Sequence, residues 1–158
     1  MLQRVGHIAL LVSNLKEAVA LFTEALGAQV TRIYEPSEAD QLPDGGAFLN
    51  FGGMHHDVLL IPAKSGQRPG LHHVAFYVEG EEDLASIRER LCRRGVQVGA
   101  PVTHGDQGPR AIHSGSRALY FPGPDGIPME ASYGMLTLAE LGGSLTAHER
   151  RPAKGPAA

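Results

Sequence analysis

Cysteine occurs once in this sequence, at Cys92, and tryptophan does not occur at all. One cysteine excludes an internal disulfide and fits a reducing compartment. No apolar run approaches the length that crosses a bilayer, and Met1–Val12 lacks the pattern of a secretory leader. A cytoplasmic location is therefore expected. A strong excess of one charge is also missing. With 14 basic and 17 acidic side chains the net charge is -3, so neither a nucleic acid nor a membrane is an expected partner. Gly-x-Ser-x-Gly, P-loop and dinucleotide fingerprints do not occur, which leaves hydrolase-triad, NTPase and Rossmann readings without support. What is there is 158 residues, 42% hydrophobic and 20% charged, enough for one domain or two small modules sharing a core. Histidine is abundant, with eight copies.

The histidines lead to an internal repeat. Val5–Val30 and Leu71–Val98 each open on an alternating apolar strand carrying a His, pass through a helix-period segment, and reach Gln-Val just after a glycine. Aligned on His7 and His73, Ala9 meets Ala75, Val12 meets Val78, and Gly27 meets Gly95 after a two-residue insertion. A histidine repeated at one strand position points to a site on the axis between two copies.

The elements follow from local pattern. Val5–Val12 alternates, with His7, Ala9 and Leu11 on one face and Ile8, Leu10 and Val12 on the other. Asn14 caps a helix whose apolar stripe is Leu15, Val19, Phe22 and Leu26, stopped by Gly27. Gln29–Tyr34 reads as a strand, and Glu35–Gly46, rich in Pro, Gly and acidic residues, as an exposed loop. Phe48–Phe51 and Asp57–Ile61 read as a hairpin. The second copy repeats the order. Its helix spans Glu81–Arg93 with Leu84, Ile87 and Leu91 inward, followed by a long polar loop over Gly99–Gly115. Strands Ala118–Phe121 and Pro128–Ser132 flank the turn Pro122–Ile127. A short helix is expected over Met135–Leu141. The domain reading is one unit over 1–141, with modules 4–62 and 71–133 joined by linker 63–70, and a disordered tail over 142–158.

The segments GHIALLV, LHHVAFYV and YFPGPDGIPMEASY resemble the vicinal oxygen chelate superfamily, which groups glyoxalase I, bleomycin and fosfomycin resistance proteins, methylmalonyl-CoA epimerase and extradiol dioxygenases. The resemblance covers roughly 4–133. It implies an α+β fold in which two tandem βαβββ modules have mixed sheets that wrap a concave metal-binding cleft. It also implies that His7, His73 and Glu130 hold a divalent metal. Two imidazoles and a carboxylate form a facial triad that leaves open positions on Fe(II). Mn(II) is the next expectation, and Zn(II) or Ni(II) accept the same donors. His72 is the rival to His73, but the repeat equates His7 with His73.

The superfamily shares a cleft and not a reaction. In the first module, Leu60 stands at the position equivalent to Glu130, so no fourth ligand comes from that strand. This favours the three-ligand types, and a single-domain extradiol dioxygenase above all. That implies a small catechol-like substrate chelating through vicinal oxygens, O2 as co-substrate, and a homodimer. Tyr120, ten residues before Glu130, would orient the substrate. His113 or His56 would move protons, His56 being preferred over His55 because it shares Leu60's parity, and His104 being a weaker candidate than His113. The alternatives are a metal-dependent lyase or isomerase, a fosfomycin-type transferase using Arg110 and Arg117, or a non-catalytic drug-binding resistance protein.

Overall fold

In a computed structural model, residues 1–105 and 110–141 are described. The expected disordered tail, 142–158, lies outside them.

The chain runs β1 (Arg4–Val12), α1 (Leu15–Ala20), β2 (Gln29–Tyr34), β3 (Gly46–Asn50) and β4 (Val58–Pro62). It then repeats that order as β5 (Gly70–Tyr77), α2 (Glu81–Arg93), β6 (Val102–Thr103), β7 (Arg117–Pro122) and β8 (Pro128–Tyr133), before the short α3 (Leu138–Leu141). All eight strands join one mixed sheet ordered β2-β3-β4-β1-β5-β8-β7-β6. The two halves meet where β1 pairs antiparallel with β5, and in each half the first strand runs parallel to the last. The α+β class and the twice-repeated strand–helix–three-strand order are those expected.

Strand alternation assigns the two faces. Ile8, Leu10 and Val12 turn toward α1 and pack with Leu49, Val58 and Leu60. Ala9, one residue out of phase, packs on the opposite face with Tyr34, Phe48 and Leu59. Under α2, fully buried Leu84 packs on Val78, Leu119 and Ala131, as the 3.6-residue period requires. Among the described residues no helix is long and apolar enough to cross a membrane.

Four local expectations fail, in whole or in part, for identifiable reasons. Leu26 is 54% exposed, because Leu21–Ala25 forms a π-turn. The wider turn rotates Leu26 away from the stripe begun by Leu15, Val19 and Phe22. Glu35–Gly46 is exposed along most of its length, as expected, but not throughout. It sends Ala39 and Leu42 into the Ala9–Phe48 cluster, while its acidic residues stay outside. The polar 99–115 stretch contains the two-residue strand β6, held by pairing with β7 that has no apolar signature. The last helix covers only Leu138–Leu141, and Met135 before it is buried.

Exchanging Leu42 for Ala should cost about 2–4 kcal/mol in urea unfolding, as for a buried leucine, whereas Leu26→Ala should stay within about 0.5 kcal/mol. Equal effects would contradict this packing.

Candidate metal centre

Three strands bring the expected donors together. In register, His7 of β1 faces Ala75 of β5, and Ala75 faces Glu130 of β8. His73 lies two residues along β5, opposite Ala9. Ala9 and Ala75 are fully buried, and their single methyl groups leave the space into which the longer side chains converge. His7 Nε2 and His73 Nε2 are 3.1 Å apart, and Glu130 Oε2 lies 3.6 Å and 3.5 Å from them. Donors about 2.1 Å from a shared ion are separated by about 3.0–3.5 Å, so the spacing fits one metal. Glu130 Oε1 and His7 Nδ1 are buried without a hydrogen-bond partner among the described residues. An unmet carboxylate oxygen in such a place favours a cation.

The electrostatics point the same way. Burial holds His7 down to about 3, helped by His73, His104 and His55. Burial also takes His73 to about 4, with His72 and His104 adding to it. Both imidazoles are therefore neutral near pH 7, the state a metal requires. Burial raises Glu130 to about 7, against the lowering influence of the nearby Ser132 and Tyr120 hydroxyls.

His72 is the extra residue of a bulge in β5 and does not take His73's place. Its Nδ1 meets His73 Nδ1 at 2.8 Å, so it orients that ring through the nitrogen turned away from Glu130.

A cavity of about 50 Å³ adjoins the three donors, lined by Phe48, His56, Leu59, His104, Ile112, Ser114, Ser116 and Tyr120. The Tyr120 hydroxyl bonds His104 Nε2 at 2.7 Å, while the residue as a whole is 41% exposed at the edge of the site. Burial first, then the charge of Glu130, raises its pKa, so the phenol stays protonated. His56 is buried with its ring 4.3 Å from that of His7, and its Nδ1 lies 2.8 Å from His55 Nδ1. Burial, then neighbouring histidines, keeps it neutral.

Several sequence expectations need correction here. His113 is exposed and outside the cavity lining; His104, rated below it, lies inside. Sequence offered little to separate two histidines in one polar loop, because the short β6–β7 pairing that turns His104 inward has no pattern. His55 and His56 do not take opposite faces. Both precede β4, where alternation does not apply, and both rings pack against Phe48. The first-module counterpart of Glu130 is Leu59, not Leu60: Leu59 faces Ala9 as Glu130 faces Ala75. Phe48 faces Leu59 as Tyr120 faces Glu130, so the second hairpin is one residue shorter, and that odd difference turns Leu60 to the other face. Leu59 still offers no ligand. Arg110 and Arg117, considered for a phosphonate, instead pair with Asp40 and Glu81.

Stability of the metal-free protein should depend steeply on acid. His7, His55, His56 and His73 have lowered folded values, so each takes up a proton on unfolding once pH falls below about 6.5. Glu130 acts oppositely between pH 7 and 4.5, being protonated in the folded state and ionised in the unfolded one. Four against one, with His72 and His104 adding in the same direction, leaves at least about three protons taken up near pH 5.5, and stability should fall by about 4 kcal/mol per unit of pH lost. Urea midpoints at pH 6.5 and 5.5 measure this; a flat profile would show that the histidines are not buried neutral.

Comparison with known proteins gives the family. The model of the Glyoxalase/Bleomycin resistance protein/Dioxygenase superfamily matches residues 4–131. Manganese-dependent 2,3-dihydroxybiphenyl 1,2-dioxygenase of Geobacillus genomosp. 3 is 30% identical over 132 residues, covering 81% of this chain and 36% of that protein. Catechol-2,3-dioxygenase of Bacillus subtilis (strain 168) is 30% identical over 101 residues, covering 60% and 33%. The chain thus spans about a third of the length of these relatives. Among solved structures, 2,2',3-trihydroxybiphenyl 1,2-dioxygenase from Sphingomonas wittichii strain RW1 superposes with a TM-score of 0.70 at 21% identity, covering 87% of this chain and 44% of that one. A Mn(II)-bound glyoxalase from Novosphingobium aromaticivorans gives 0.68 at 24% identity, covering 85% and 38%, and likewise shares the fold. Sequence and architecture agree: the chain belongs to the glyoxalase/bleomycin resistance protein/dioxygenase superfamily.

Proposed function

We propose that the chain is a metal-dependent, extradiol-type dioxygenase acting on a catechol-like substrate with O2. The observation that carries this reading is the convergence of two imidazole nitrogens and one carboxylate oxygen, 3.1–3.6 Å apart, beside a cavity bordered by a protonated phenol. His7, His73 and Glu130 would hold Fe(II), with Mn(II) next. Bound there, the ion would supply the positive charge that draws two vicinal oxygens and O2 to the site. The named activities of the relatives support the reaction class, and the manganese dependence of one supports a divalent metal at the three donors.

The chain's own residues divide the remaining work. Tyr120, held protonated and steadied by His104, donates a hydrogen bond to a substrate oxygen and orients the ring. His56 is neutral, and its Nδ1 is engaged by His55, so its Nε2 is the nitrogen that accepts a proton from a substrate hydroxyl. The proton-moving role falls to His56 and His104, since His113 stands outside the cavity. Residues 1–141 act as one cytoplasmic domain of two modules, and membership of this superfamily supports pairing of chains as a homodimer.

Protein purified without chelators under anaerobic conditions should carry roughly one Fe or Mn per chain, consume O2 with catechols and release a yellow ring-opened product. Metal content without O2 uptake would remove the dioxygenase reading. His73→Ala should lose the metal and remain folded, and wild-type metal content in that variant would sink the ligand assignment. Tyr120→Phe should keep its metal while kcat falls about a hundredfold; an unchanged kcat would leave the phenol without a role.

A further inference from the structure

The cavity beside the three donors has two chemically different walls. One is polar and belongs to the second module: His104, Tyr120, and Ser114 with Ser116, whose hydroxyls bond each other at 2.9 Å. The other is apolar: Phe48, Leu59 and Ile112, each less than 10% exposed. Among the described residues Glu130 is the one acidic side chain lining it, and no Lys or Arg does so.

Ile112 is the unusual member of the apolar wall. It comes from the second module's long loop yet packs into the first module's cluster, against Ala9, Tyr34, Ala39, Leu42, Phe48 and Leu59. Polar contacts behind it fix its position. Ile112 N donates to Gln41 Oε1 at 3.3 Å, Asp40 N donates to the Arg110 carbonyl at 3.1 Å, and Arg110 Nη2 reaches Ser37 O at 2.6 Å. The loop over Glu35–Gly46 and the segment around Ile112 therefore brace each other across the cleft. The free space left at the donors, about 50 Å³, holds only a few waters, so anything larger than one ring meets the wall.

We propose that this site selects uncharged, single-ring vicinal diols, and that Ile112 is the residue that sets the size limit. The inference rests on the catechol reading and deepens it. With the metal's charge met by Glu130 and the two diol oxygens, a carboxylate on the ring would lie against Phe48, Leu59 and Ile112 with no lining Lys or Arg among the described residues to pair with. A second ring beside the diol meets the braced wall of Ile112, Leu59 and Phe48, where added volume is accommodated only by displacing packed side chains. A small apolar ring finds there a surface from which water is readily expelled.

The test is anaerobic calorimetry on Mn(II)-loaded protein with catechol, 2,3-dihydroxybiphenyl and 3,4-dihydroxyphenylacetate, with O2-uptake kcat/KM measured alongside. Catechol should bind at least tenfold more tightly than the other two. Ile112→Ala should improve binding of 2,3-dihydroxybiphenyl about tenfold and leave 3,4-dihydroxyphenylacetate weak. Should that variant fail to fold, Ile112→Val should give a smaller gain for the two-ring diol, and Ile112→Phe should weaken catechol itself. Equal binding of all three diols, or an unchanged affinity for 2,3-dihydroxybiphenyl in every folded Ile112 variant, overturns the selection while leaving the catechol reading intact. Metal-loaded protein that binds none of the diols overturns both.

Discussion

The pairing of β1 with β5 is the constraint on which the rest depends. It joins the two modules into one sheet, and it places His7 and Ala75 on the same rung with Glu130 one strand further on. Because both partners in that pairing are first strands of their modules, the histidine repeated in sequence is repeated about the junction in space. Alanine at 9 and 75 is as much a part of the arrangement as the donors: a larger side chain at either position would occupy the volume where the three converge. The bulge in β5 serves the same end, inserting His72 beside His73 without displacing it.

Around this rung the protein gathers an unusual amount of buried polarity. His7, His55, His56, His73 and Glu130 are all nearly solvent-free, and burial drives each toward its uncharged form. Such a cluster contributes little to stability by itself, since desolvation offsets much of what the contacts return. It is compatible with the fold because two apolar layers under α1 and α2, and a third built on Phe48 and Leu59, carry the packing elsewhere. Neutral imidazoles and a carboxylate with an unmet oxygen are poised for a cation, so a site costly to keep empty is one that a metal stabilises.

Much of the fold was legible in the chain. Alternation over β1 and β5, the helical period with its Asn14 cap and Gly95 stop, and the Pro-Asp-Gly turn are local signals, and each element formed near its expected bounds. The meeting of His7 with His73 was legible because a repeat carries three-dimensional information: equal positions in two copies become symmetric positions in a paired fold. Glu130, whose first-module counterpart is a leucine, was reached only through the family resemblance. The readings that failed had no such support. A π-turn turned Leu26 outward, a loop that looked solvated proved to carry Ala39 and Leu42 into the core, and an odd difference in hairpin length moved the counterpart of Glu130 from Leu60 to Leu59.

By itself, then, the sequence determined most of the elements, the twofold repeat and the two paired histidines, because periodicity, capping and turn chemistry act over a few residues and a repeat relates distant ones. Only the tertiary structure decided what surrounds those donors. That His104 and not His113 reaches Tyr120, that His55 and His56 share one ring of Phe48, and that Ile112 crosses between modules are outcomes of loop packing. Loop packing follows no short period. It is settled by which side chains fill the space the sheet leaves open and by which backbone groups find partners there.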